Sequence, residues 1–329
     1  MPGLIRRRRA VALLMLLSPL GAALAQPAPA WPARPLRIVV AYPPGGISDG
    51  VARALADKLS TQLGTPVVIE NRAGAGGSIG MDAVAKAAPD GYTLGFSSIS
   101  PLALNPHLGK QAYDPAHDIA PVASVMYSPV VLLATPAFAG KDFKDMLAVA
   151  RAKPGSLRWS TSGLATVGHL VLEQVSHGAK VEFTHVPYKG GGQQLTDALG
   201  GQVELVSTNL SGTVMQHIQS GKLRPIAVGA PARVDALPQV PTFAELGLAI
   251  ANLSSLFGVF APAKVPAELL QRLNTEINLA LRTPELRKKL LDADNVPTGG
   301  SAADFARQIA AESAGNARII KAANIKAEQ

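Results

Sequence analysis

The sequence predicts an α/β protein: a mostly parallel β-sheet covered by helices on both faces, ending in a helical tail. Three observations carry this. Short apolar runs alternate with stretches whose apolar residues recur at helical spacing, the pattern of parallel strands joined by helical crossovers. Glycine- and proline-rich turns sit where an apolar run ends and a helical stretch begins. After Pro262 only helical spacing remains, at residues 266–281, 284–292 and 301–323.

The expected strands fall at residues 36–41, 66–70, 93–96, 130–134, 156–160, 181–185, 203–207 and 224–228. The expected helices between them fall at residues 51–62, 78–87, 142–152, 166–176, 192–199 and 213–220. The first strand is followed by Tyr42-Pro43-Pro44-Gly45-Gly46-Ile47-Ser48-Asp49-Gly50, and then by Val51, Leu55 and Leu59 on one helical face. Proline fixes the approach of this turn, and glycine lets its backbone come close to another group. Ser48 and Asp49 are residue types that cap helix N-termini. Free amides and the positive end of a helix dipole make such a turn a site for a carboxylate; a capping loop without ligand is the plain alternative.

The second glycine-rich turn, at residues 71–80, invites a dinucleotide reading that fails in detail. Gly74-Ala75-Gly76 should be followed by glycine or alanine at position 79, which is Ile79, and the turn follows the second strand rather than the first. No heptads, no repeat of 20–50 residues and no low-complexity tract beyond residues 27–35 are present.

The N-terminus reads as an export signal: Arg6, Arg7, Arg8 and Arg9, an apolar core broken by Ser18, Pro19 and Gly21, and a small-residue site at Ala23-Leu24-Ala25. That predicts cleavage after Ala25 and a mature chain beginning near Gln26. The paired arginines leave a twin-arginine route open beside a Sec route. The formal charge of +8 shrinks once this segment is removed, to 27 basic against 23 acidic residues. Arg287-Lys288-Lys289 is the one basic cluster left and reads as a solvated helix face. With 5% aromatic residues to stack on bases, no nucleic-acid partner is expected. The absence of cysteine excludes disulfides, thiolate catalysis and cysteine metal sites.

The two turns belong to an ordered set. Asn71-Arg72-Ala73-Gly74, Ala88-Pro89-Asp90-Gly91-Tyr92, Tyr113-Asp114 with Asp118, and Ser162-Gly163 with His169-Leu170 follow the first turn. His185-Val186-Pro187-Tyr188-Lys189-Gly190, Gly221-Lys222-Leu223-Arg224 and Leu237-Pro238-Gln239-Val240-Pro241-Thr242 complete it. In order and spacing this set resembles the Bug-type substrate-binding receptors of tripartite tricarboxylate transporters, from about Trp31 to Pro262. The resemblance implies a type II periplasmic binding protein fold, two α/β lobes with a ligand cleft between them. Ser128-Pro129 and Ser254-Ser255 are plausible crossover points, which would divide the chain into a discontinuous lobe at residues 31–128 and 255–329 and a second at 129–254. Open α/β sheets bind ligands beyond the carboxyl ends of their strands, which agrees with that position.

The resemblance further implies that ligand carboxylates are held by backbone amides, small hydroxyls and water, with few charged side chains. It sets Pro44, Gly45, Gly46, Ile47, Ser48 and Asp49 opposite Ser162, Gly163, Thr166, Tyr188, Lys189 and Gly190. Ser97 and Ser98 end the third strand at the same mouth and read as hydrogen-bond donors, and Asn209 follows the strand at 203–207. His169 either pins its loop or touches ligand; Lys189 is either a point charge for the acid or simply exposed. The chain departs from the family pattern at Ser48 for threonine, Ala165 for glycine and Leu256-Phe257 where tryptophan is usual.

No metal site, cofactor or catalytic residue is expected: no HExxH or GxSxG motif is present, and the histidines are not spaced as ligands. The leading expectation is a monomeric periplasmic receptor delivering a di- or tricarboxylate, acidic amino acid or aromatic acid to the membrane subunits of a transporter. A receptor presenting its ligand to a sensor kinase is the alternative from the signalling class, and a periplasmic hydrolase using Ser98 or His169 is the third reading.

Overall fold

The computed structural model describes residues 31–323 and Ile325, so the expected export signal at residues 1–25 lies outside the described residues. The chain opens with β1 (Leu36–Val40), α1 (Ile47–Leu63), β2 (Val67–Asn71), α2 (Ser78–Ala85), β3 (Thr93–Ser98) and the short α3 (Ser100–Ala103). Then come β4 (Ile119–Ala134), α4 (Phe143–Ala152), β5 (Arg158–Thr161), α5 (Val167–Ala179), β6 (Thr184–Pro187), α6 (Gly191–Leu199), β7 (Leu205–Asn209), α7 (Gly212–Gln219) and β8 (Arg224–Gly229). The last part holds β9 (Ser254–Pro262), α8 (Ala267–Arg282), α9 (Pro284–Leu291), the two-residue β10 (Val296–Pro297) and α10 (Ala302–Ala323).

The expected strand–helix alternation is present, but the sheet is mixed rather than mostly parallel. Its order is β2-β1-β3-β9-β4-β7-β5-β6, with β8 and β10 also on β4. β1 runs parallel to β2 and β3, and β5 runs parallel to β6 and β7. Every pairing made by β4 and β9 is antiparallel. The reason is that β4 is a connector. Its 16 residues pair with β9 as far as Pro129, and with β7 and β8 from Val130 onward. β9 returns alongside it. The expected crossover residues are direct partners across this pair, Ser128 with Ser255 and Pro129 with Ser254. The register of the first part of β4 slips twice, between Pro121 and Ala123 and between Ser124 and Met126, the first of them at a proline that cannot donate to the ladder. A second small departure is β10, a strand within the stretch expected to be wholly helical; Val296 pairs with Tyr127.

Each half of the sheet carries its own core. In the first, Ile38, Phe96 and Met126 pack under Leu55 of α1 and Ile277 of α8. In the second, Leu132 and Trp159 pack under Met146 of α4 and Val171 of α5. A fully buried side chain of this size contributes about 1.5–3 kcal/mol, so either half holds an independent apolar centre. α10 ties the halves together: Phe305 meets Phe260 at a ring-centroid distance of 5.3 Å, and Ile320 clusters with Leu170 of α5.

Candidate ligand-binding site

The first turn is locked from behind by Asp49. Its carboxylate accepts from Gly45 N (3.2 Å), Asn71 Nδ2 (3.0 Å) and Arg53 Nε (3.1 Å). Burial alone would raise the Asp49 pKa, but these donors outweigh it and hold the group below the usual carboxylate range. Gly45 adopts φ +85, a left-handed conformation that favours glycine. Thus Asp49 is spent on the turn. Gly46 is left as the N-cap of α1, with no side-chain hydrogen bond covering the helix end.

Four helices begin around one cavity of about 50 Å³: α1 with Gly46, Ile47 and Ser48, α5 with Thr166 and Val167, α6 with Gly191, and α7 with Ser211. Thr166 and Ser211 cap their own helices, accepting from His169 N and Val214 N. The N-termini of α1 and α6 have no side-chain cap, and they lie in different halves of the molecule. Unpaired N-terminal amides and aligned dipoles give such ends a positive bias worth about 0.3–1 kcal/mol each toward an anion.

Among the described residues, no lysine, arginine, histidine, aspartate or glutamate lines this cavity. Its side-chain donors are hydroxyls. Ser48 and Ser100 are 4% and 2% exposed, and among the described residues their Oγ atoms make no hydrogen bond. Ser162 and Thr208 contribute two more uncommitted hydroxyls from the other half. Ser98 is committed: its Oγ lies 2.7 Å from Tyr42 Oη and accepts from Ser100 N at 3.3 Å. Burial pushes the Tyr42 phenol up despite these serine hydrogen bonds, so it stays neutral. Asn209 forms part of the floor, where its Nδ2 donates to Ser128 O (3.1 Å) and Ser255 Oγ (3.0 Å) and ties β7 to the connecting strands.

Of the residues singled out from sequence, Gly45, Gly46, Ile47, Ser48, Ser98, Ser162, Thr166 and Asn209 meet at this cavity. The others surround it without lining it. Strand alternation turns Ser97 away from Ser98, and Ser97 is fully buried. Gly163 O accepts from Thr166 Oγ1 at 2.8 Å and shapes the loop. His169 Nδ1 accepts from Ala165 N at 3.3 Å, the pinning role of the two considered. It lines a different cavity, beside Leu164 and Asn105. Tyr188 Oη donates to Asp197 Oδ2 at 2.8 Å, which helps push its pKa up to about 12, after burial. Lys189 is exposed. Gly190 packs against the Pro43 ring, where a Cβ would collide with it, and Gly192 faces Pro44 O. Thus Pro44 and Gly190 bring the two loops together from outside the cavity.

Sequence reasoning missed Tyr42, Ser100, Thr208, Ser211, Ser255 and Phe257. Ser211 carried a readable signal, a serine just ahead of a helix. Ser255 and Phe257 were noted only as a crossover point and as a departure from the family pattern, because β9 was not recognised as a strand.

Over residues 51–325 the chain matches the model of the tripartite tricarboxylate transporter family receptor. The chain belongs to this family. The receptor is 41% identical to protein BugT of Bordetella pertussis over 257 residues, 77% of this chain and 78% of BugT. Among solved structures it resembles periplasmic binding protein BugD, with a TM-score of 0.85 at 28% identity, covering 90% of this chain and 99% of BugD. It equally resembles Rpa4515 of R. palustris with adipate, with a TM-score of 0.85 at 35% identity, covering 90% of this chain and 99% of that one. The receptor is therefore a periplasmic solute-binding protein with the two-lobed fold.

Proposed function

We propose that the receptor captures a small carboxylate in this cavity and delivers it, as a monomer and after removal of residues 1–25, to the membrane subunits of a tripartite transporter. The lobes are assigned to residues 31–128 with 255–329, and to 129–254. The observation that carries the reading is the pairing of an uncharged, hydroxyl-lined cavity with uncapped helix N-termini from both sides. Such an arrangement favours an anion without holding it in an ion pair, so the ligand is also free to leave. The likeness to the structure of Rpa4515 with adipate, a dicarboxylate, supports the same class. Binding without chemistry fits as well. A nucleophile needs a base in reach, yet Ser98 bonds to Tyr42, and His169 lines another cavity.

The test is a thermal-shift screen of the mature protein against a carboxylate panel that includes adipate. Ligand at a hundred times its dissociation constant adds about 2.7 kcal/mol, roughly 5 °C for a protein this large, and should be recovered unchanged. Gly46→Leu should lose the shift while keeping its fold, because Gly46 has φ −83 and a Cβ there meets nothing within 4 Å. A Gly46→Leu protein that binds normally would show that the anion sits elsewhere.

A further inference from the structure

Between the starts of α1 and α7 and the outer face of α9 lies a vestibule of about 590 Å³. It shares Gly45, Gly46, Ile47 and Ser211 with the inner cavity, so it adjoins that cavity at the same two helix ends. Its charged rim is almost wholly self-paired. Lys288 Nζ lies 2.7 Å from Asp292, Glu285 accepts from Lys58 at 2.9 Å, and Asp49 is paired with Arg53 at 2.9 Å. Among the described residues, Lys289 is the one rim charge with no partner. Among the described residues no lysine or arginine lines the inner cavity, and on this entrance to it Lys289 supplies the unpaired positive charge.

We propose that Lys289 is a capture residue: it draws the anionic ligand into the vestibule, from which the ligand passes to the helix ends, and it does not hold the ligand once bound. This rests on the carboxylate reading above. A charge at the mouth of a cleft raises the association rate and leaves dissociation alone, and salt erases the effect. Arg287, on the same helix, carries the same charge but does not line the vestibule, so it reports on net charge alone.

The experiment is stopped-flow intrinsic fluorescence with adipate, or with whichever acid of the panel binds the wild type, at about 20 mM and about 1 M salt. Expected at low salt is an association rate about twofold lower for Lys289→Ala and about fourfold lower for Lys289→Glu. Dissociation should be unchanged, Lys289→Arg and Arg287→Ala should behave as wild type, and all variants should converge at high salt. Equal effects of Arg287→Ala and Lys289→Ala would overturn the proposal, as would a change confined to dissociation. If no acid of the panel binds the wild type, the carboxylate reading itself falls and this inference falls with it.

Discussion

The closed arrangement of the lobes depends on glycine at position 76, and replacing it with alanine separates closure from folding. Gly76 adopts φ +59, and a Cβ there would lie 2.5 Å from Leu164 O and 3.3 Å from Ala165 O, on the opposite lobe, and 3.2 Å from the side-chain Nδ2 of Asn105 on its own. Ordinary contact begins at 3.4 Å, and a backbone oxygen cannot turn aside as a flexible side chain can. Two costs follow. Alanine in a left-handed conformation costs about 1 kcal/mol whether the lobes are apart or together. The clash with Leu164 exists only when they are together, and overpacking of this kind costs about 1–3 kcal/mol. Because a ligand between the lobes needs the closed form, the second cost falls on binding, raising the dissociation constant roughly 10- to 100-fold at about 1.4 kcal/mol per decade. Gly64→Ala is the matched control. Gly64 has φ +62, but its Cβ would meet nothing within 4 Å. Calorimetric titration with a carboxylate from the panel should find Gly64→Ala binding as wild type and Gly76→Ala binding far more weakly. Both should melt about 2 °C lower without ligand. If Gly76→Ala binds like Gly64→Ala, the lobe contact at Leu164 does not form part of the bound state.

Two further outcomes follow from the same region. Ala165 sits at φ +54 in the loop that meets Gly76. Ala165→Gly should relieve that strain and raise the melting temperature by about 1–2 °C, the relief of about 1 kcal/mol being partly offset by the added freedom of the unfolded chain; a lower melting temperature would contradict it. His185, in β6, stacks on His169 with ring centroids 4.4 Å apart, and its Nε2 lies 2.8 Å from Thr161 Oγ1. Burial first, and then the neighbouring His169, lowers its pKa from 6.5 to about 4. The unfolded chain therefore takes up a proton at higher pH than the folded one. The stabilisation is complete above about pH 6.5 and is lost as pH falls toward 4, on the order of 2 kcal/mol after allowing for partial exposure. Urea unfolding at pH 7 and 4.5 should show this loss in wild type and a smaller one in His185→Gln. Equal losses would assign the acid sensitivity to other groups.

By itself the sequence determined the local grammar. The turn at Tyr42–Asp49, the helix start at Thr166 and the apolar face of α1 depend on residues within a few positions of one another, so their spacing is enough to read them. It also determined the family, because the ordered turns survive as short strings. Tertiary structure alone decided the rest. That β4 and β9 run antiparallel between the lobes depends on pairings more than a hundred residues apart, hidden behind Pro121 and Pro129. That Ser98 faces the cavity while Ser97 does not depends on which face of the sheet is turned to the other lobe. That Gly76 and Gly190 bring the lobes into contact depends on distances across the cleft. A linear sequence records which backbone groups and hydroxyls are available. Which of them remain unspent, facing a common space, is set only when the two lobes are packed against each other.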